Sequence, residues 1–112
     1  MPKTLFQPVT EKVYERTHKL ATALQEDFDG RYPNINGGKV FDIVEGRKYN
    51  KIVMVDNQES VHAFVDRKTG DVFKPASWRG PAKIARYNLL DDASYGKCLA
   101  NADWAGGYLY LR

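Results

Sequence analysis

Along the first part of the chain, Val13, Thr17, Leu20, Leu24 and Phe28 recur at helical spacing, and Tyr14 and Ala21 widen the same stripe. The opposite face carries Glu11, Lys12, Glu15, Arg16, Lys19 and Glu26, with Glu15 and Lys19 an i,i+4 pair in the favourable order. This pattern predicts an amphipathic helix over Thr10–Phe28, with Thr10 as N-cap and Gly30 as the stop. Arg31–Gly38 contains Pro33, Asn34, Asn36, Gly37 and Gly38 without periodicity, so it reads as a loop that reverses the chain.

From Lys39 the texture changes to short β-branched and aromatic runs separated by turn residues, the mark of an antiparallel meander. The runs predict four strands: Lys39–Glu45, Tyr49–Val55, Ser60–Asp66 and Val72–Lys74. Gly46-Arg47, Asp56-Asn57-Gln58 and Arg67–Gly70 are the turns, and Gly70 stands where a short hairpin loop calls for a positive φ. Ile52–Val55 is apolar on both faces, which suits a central strand. Pro75 and Pro81 cannot continue such a strand, because each lacks a ladder donor. Pro81 suits the first turn of a helix, so Ala82–Tyr87 is expected to be helical. A second helix is expected from Asp91 or Asp92, with Tyr95, Cys98, Leu99 and Ala102 on one face. Tyr108–Leu111 alternates like a short terminal strand. The expectation is one α+β domain over residues 1–112, its first helix packed on the meander.

Composition narrows the class. The chain has 112 residues, a net charge of +3 and a single cysteine, so it is long enough to bury a core without a disulfide and points to a reducing compartment. Leu5 and Phe6 are hemmed in by Pro2, Lys3, Gln7 and Pro8, which is not a secretory leader. No apolar run approaches the ~18 residues of a membrane span, so no membrane contact is expected and the reading is cytosolic.

Charge placement is more informative than its sum. Between Arg67 and Leu90 stand Arg67, Lys68, Lys74, Arg79, Lys83 and Arg86 against Asp71 alone: six cations against one carboxylate, a local +5. Trp78 and Tyr87 lie among them. On the expected helix, Lys83, Arg86 and Tyr87 fall at i, i+3 and i+4 beside a free N-terminus, which supplies charge for a phosphate and a ring for a base. Lys74, Trp78, Arg79, Lys83, Arg86 and Tyr87 are therefore the candidate ligand-binding residues. The plainer alternative makes Trp78 a lid on the core and the lysines solvated. A second basic patch, Arg47-Lys48 with Lys51 beside Tyr49, reads as a charged hairpin tip that discourages aggregation. Helix, meander and basic helix start also follow the layout of a double-stranded-RNA-binding domain, with that family's lysine run reduced here to Lys83 and Arg86.

Nothing points to catalysis. His18 and His62 have no motif around them, Cys98 on an apolar helix face reads as packing, and Asp91-Asp92 reads as a helix cap. No catalytic residue, cofactor or metal site is expected.

His62–Asn88 and the closing Gly106–Arg112 resemble a small protein that recurs in tailed bacteriophages. That family's core, F-V-D-x-x-T-G-D-V-x-K-x-A-x-W-x-x-P-A-K-x-x-R, has its counterparts in Phe64, Val65, Asp66, Thr69, Gly70, Asp71, Val72, Lys74, Ala76, Trp78, Pro81, Ala82, Lys83 and Arg86. The likeness covers about half the chain and carries no assigned activity. It implies an accessory protein in the cytoplasm of an infected bacterium, binding something of the host's. Two classes of function follow. One is sequestration of a phosphate-bearing ligand, either a nucleotide immune signal or nucleic acid; the other is inhibition of a host protein through the same surface. A homo-oligomer is left open.

Overall fold

Helix α1 spans Val9–Arg31 and buries Val13, Thr17, Leu20, Ala21, Leu24 and Phe28, the stripe expected from the spacing. This computed structural model describes residues 7–33 and 38–110. Both ends of α1 differ from expectation. Thr10 lies inside the helix, and the capping position is Pro8, whose carbonyl accepts from the N–H of Glu11 and Lys12 at 3.1 Å each. Gly30 is helical too. The chain leaves the helix at Tyr32, φ −132°, because the residue before Pro33 is pushed out of the α region. Residues 34–37 of the expected loop lie outside the described residues.

The meander follows as β1 (Val40–Glu45), β2 (Tyr49–Val55), β3 (Glu59–Asp66) and β4 (Asp71–Phe73), within a residue or two of the expected bounds. Gly70 has φ +79°, as the hairpin required. A fifth strand, β5 (Tyr87–Asn88), replaces the expected helix at Ala82–Tyr87. Ala76 and Ser77 donate to the Gly80 carbonyl and turn the chain, so 81–88 runs back along β4. There Ala82 N–H bonds Lys74 O, Arg86 N–H bonds Val72 O, and Leu89 N–H bonds Gly70 O. Ladder bonds to a strand already in place outweigh the weak helix preference of so few residues. The sheet order is β1-β2-β3-β4-β5, antiparallel throughout.

Register sorts the side chains. Ile43, Ile52 and Ala63 form one cross-strand row, and Val65, Val72 and Tyr87 another, on the core face under α1. The outer face carries the row Val44, Lys51, Phe64 and Phe73. In β3 the register slips so that Ile52 faces Ala63 while Val53 faces Val61, leaving His62 as a bulge residue turned into the core.

Helix α2 (Asp92–Asn101) starts as expected: the Asp91 carboxylate accepts from Ala93 N–H. Cys98 is wholly buried, with Tyr95, Leu99 and Ala102 beside it on the core. Arg16, expected on the solvated face of α1, instead bonds Leu89 O and Asp92 and lies over the Tyr95 ring, tying the two helices together. Glu15 and Lys19 do not join an ion pair among the described residues. The expected terminal strand is a 3-10 turn at Gly107–Leu109. Gly106 at φ +87° sets it up, and Tyr108 and Leu109 are both buried. Leu111 lies outside the described residues.

Candidate functional site

The six residues read as ligand-binding do not form one site. Arg86 Nε donates to Leu109 O at 2.7 Å, and the Tyr87 hydroxyl donates to Tyr108 O at 3.2 Å. The Lys74 ammonium lies 4.6 Å from the centre of the Tyr110 ring. These three hold the C-terminal segment against the core-face side of the sheet. Tyr87, at 8% exposure, has no ring face left for stacking. Without a helix at 82–87 there is also no helix N-terminus to receive a phosphate, and the layout shared with double-stranded-RNA-binding domains is lost.

Trp78 behaves differently. The turn at 77–80 folds it back over the outer face, where it is 46% exposed. Lys51 lies 4.1 Å from the centre of its ring and 5.7 Å from that of Phe64. Phe64 is buried on this face under Tyr49, whose ring stands edge-on to it at 5.6 Å and to Phe73 at 6.1 Å. Lys48 lies 5.5 Å from the Tyr49 ring centre. The patch read as a mere hairpin tip thus continues into Trp78, giving a strip in which cations and aromatic rings alternate: Lys48, Tyr49, Lys51, Trp78. Each ammonium over a ring adds a modest attraction, of order 0.5–1 kcal/mol at exposed sites.

The strip opens at one end onto further charge. Arg67 donates from its backbone to Lys48 O at 2.9 Å and from its guanidinium to Gly46 O at 2.7 Å, binding the β1–β2 and β3–β4 turns together. Arg47, Lys48, Arg67 and Lys68 are thereby gathered at one end of the sheet. Of the carboxylates flanking these turns, Asp66 accepts from the N–H of Lys68 and Thr69 and Asp71 from the Asn88 side chain, while Glu45 ends β1 beside them. Arg79 and Lys83 are exposed on the connection that carries Trp78. The sequence carried one usable signal for this arrangement: Tyr49 and Lys51 are two apart in a strand and share a face. Their meeting with Trp78 depends on the 77–80 turn and was not legible.

Two further reactive groups, Cys98 and His62, are packed away, while His18 is exposed on α1. Burial pushes the Cys98 thiol up to about 12 and the His62 imidazole down to about 4, so the first is protonated and the second neutral near pH 7. His62 Nε2 faces the Tyr108 hydroxyl and not the thiol. No helix among the described residues is long and apolar enough to cross a membrane.

Compared with known proteins, residues 3–111 match one family model, described as a family of unknown function (DUF7717). No curated protein and no solved structure matches the chain.

Proposed function

For this chain, which belongs to the family of unknown function DUF7717, we propose a non-enzymatic role in binding a phosphate-bearing ligand, of which a single nucleic-acid strand fits best. The carrying observation is the strip Lys48–Tyr49–Lys51–Trp78 on the open face of the sheet. Single strands are held by rings that stack on bases beside cations that track the backbone. An enclosed nucleotide site is concave, whereas this strip lies along a sheet face, which favours a strand over a free nucleotide. Of the residues read from sequence, Trp78 is in contact with Lys51 of this strip, and Arg79 and Lys83 are exposed on the connection that carries it. The resemblance to small tailed-phage proteins extends the proposal: the strand or nucleotide is sequestered in the cytoplasm of an infected bacterium, against host defence.

Anisotropy of a labelled single-stranded oligonucleotide at low salt tests the reading, with a nucleotide and a duplex as competitors. Binding is expected, with a steep loss on adding salt from counterion release and about a tenfold loss for Lys51→Gln and for Trp78→Ala. Melting curves of both variants separate affinity from stability. Absence of binding to every nucleic acid and nucleotide overturns the proposal. A second reading, inhibition of a host protein, is favoured by one observation: Ile84, on the same connection as Trp78, is 68% exposed. It predicts that Ile84→Ser abolishes a protein contact while leaving oligonucleotide binding intact.

A further inference from the structure

We infer a second site, for a phosphate-class anion, in the cleft between β5 and α2. The cleft encloses about 540 Å3 and is lined by Arg86, Tyr87, Asp91, Ser94, Lys97 and Asn101. It lies beside the sheet's last strand, away from the outer-face strip, so it does not rest on the function proposed above.

Local structure decides which groups reach it. Ser94, Lys97 and Asn101 follow at i, i+3 and i+7 on α2, one stripe of the helix, while Tyr95, Cys98, Leu99 and Ala102 face the core. The polar stripe of α2 thus faces the β5 strand. Arg86 enters from the other side with its Nε fixed on Leu109 O, which pre-positions the guanidinium and leaves its two Nη groups to donate. Ser94 Oγ accepts from Asn88 N–H at 2.8 Å, so its own O–H remains to be given. The Tyr87 hydroxyl donates to Tyr108 O, so that wall is fixed as well.

Two cations, a hydroxyl and an amide, each able to donate, therefore line one cleft. Asp91 is the carboxylate of the lining; its Oδ1 accepts from Ala93 N–H, and its charge leaves the cleft with two cations against one anion. Charge-assisted bonds from a planar guanidinium and an ammonium suit the several acceptor oxygens of a phosphate. The volume falls in the roughly 300–1,000 Å3 of small-molecule pockets, enough for a phosphate with an organic group attached.

Amide NMR shifts test the site, with inorganic phosphate and a nucleoside monophosphate as separate titrants and chloride at matched ionic strength as control. Saturable shifts at Ser94, Lys97 and Asn101 are expected with phosphate and not with chloride. Stronger binding of the monophosphate identifies an organic phosphate as the ligand, and equal binding identifies the free ion. Lys97→Gln should weaken the response about tenfold with an unchanged melting curve, since Lys97 is exposed. Phosphate shifts that are absent, that chloride reproduces, or that survive Lys97→Gln overturn the site. Shifts abolished by Lys51→Gln instead put the anion on the outer face and also overturn it.

Discussion

His62 Nε2 and the Tyr108 hydroxyl oxygen stand 2.8 Å apart inside the core, and this one hydrogen bond fastens the C-terminal turn to the bulge of β3. The two rings stack with centroids 5.6 Å apart, and Phe41 meets the imidazole edge-on at 5.5 Å. Burial holds the imidazole at about 4 against an ordinary 6.5, with Asp103 opposing weakly. Above the ordinary value both folded and unfolded chains carry neutral His62, and stability is full. Below it the unfolded chain binds a proton that the folded chain refuses. Stability then falls by about 1.4 kcal/mol per pH unit until the folded value is reached. Urea unfolding at pH 7 and pH 5 should differ by about 2 kcal/mol from this group. His62→Gln should flatten the slope in that window, and an unchanged slope would exclude the imidazole as its source. Asp27 and Asp56, both held below their ordinary range by backbone hydrogen bonds first, respond only at more acid pH.

That bond also marks where the sequence stopped being legible. Strand periodicity located β3 but could not reveal that one extra residue at His62 inverts the alternation locally. The α1 stripe from Val13 to Phe28, the Thr69-Gly70 turn and the Asp91 cap were readable because each is a local rule acting on neighbouring residues. β5 was not, since Tyr87-Asn88 is a strand only because β4 presents free ladder groups to it. The same holds for the candidate site: Lys51 and Trp78 meet through a turn that places residues distant in sequence over one sheet face.

Two glycines should respond in opposite directions to alanine. At Gly70, φ is +79° and a Cβ would come within 3.0 Å of the Leu90 side chain and 3.1 Å of its backbone nitrogen. Gly70→Ala is expected to cost about 1–3 kcal/mol through backbone strain and crowding. Gly96 lies mid-helix in α2, with nothing within 4 Å of an added Cβ. Gly96→Ala should stabilise by roughly 0.5–1 kcal/mol. Thermal melts of the two variants check both signs.

The exposed edge of β1 is closed by side chains. Gln25 donates to Lys39 O at 2.9 Å and accepts from Phe41 N–H at 2.8 Å, and Asp42 Oδ1 accepts from Ile43 N–H at 2.9 Å. Phe41 and Ile43 are two apart, so both N–H groups point along the same free edge. Occupied donors cannot template another strand. The double variant Gln25→Ala, Asp42→Ala should therefore associate more strongly with rising concentration than the parent chain in sedimentation velocity. Identical sedimentation at every concentration would show that these bonds do not guard the edge.

Basic residues that look equivalent in sequence should separate by what they touch. Lys83 is exposed, so Lys83→Gln should change stability by no more than about 0.5 kcal/mol, whereas Lys51→Gln loses the contacts with Trp78 and Phe64 and should cost about 1 kcal/mol. Arg86 is half-buried, and its Nε bond to Leu109 O is the guanidinium's contact with a segment whose Leu109 side chain lies in the core. A hydrogen bond from a charged group contributes about 1.5–3 kcal/mol, and glutamine is too short to restore it. Arg86→Gln should accordingly lower the melting temperature by several degrees, of order 4–8 °C per kcal/mol for a domain of this size. Arg86→Lys, which keeps the charge but loses the fixed geometry of Nε, should fall between the two. If Arg86→Gln melts with Lys83→Gln, the bond to Leu109 carries no weight in the folded chain. In that case the C-terminal turn is held by His62–Tyr108, the Tyr87 hydroxyl on Tyr108 O, Lys74 over the Tyr110 ring and the Leu109 side chain.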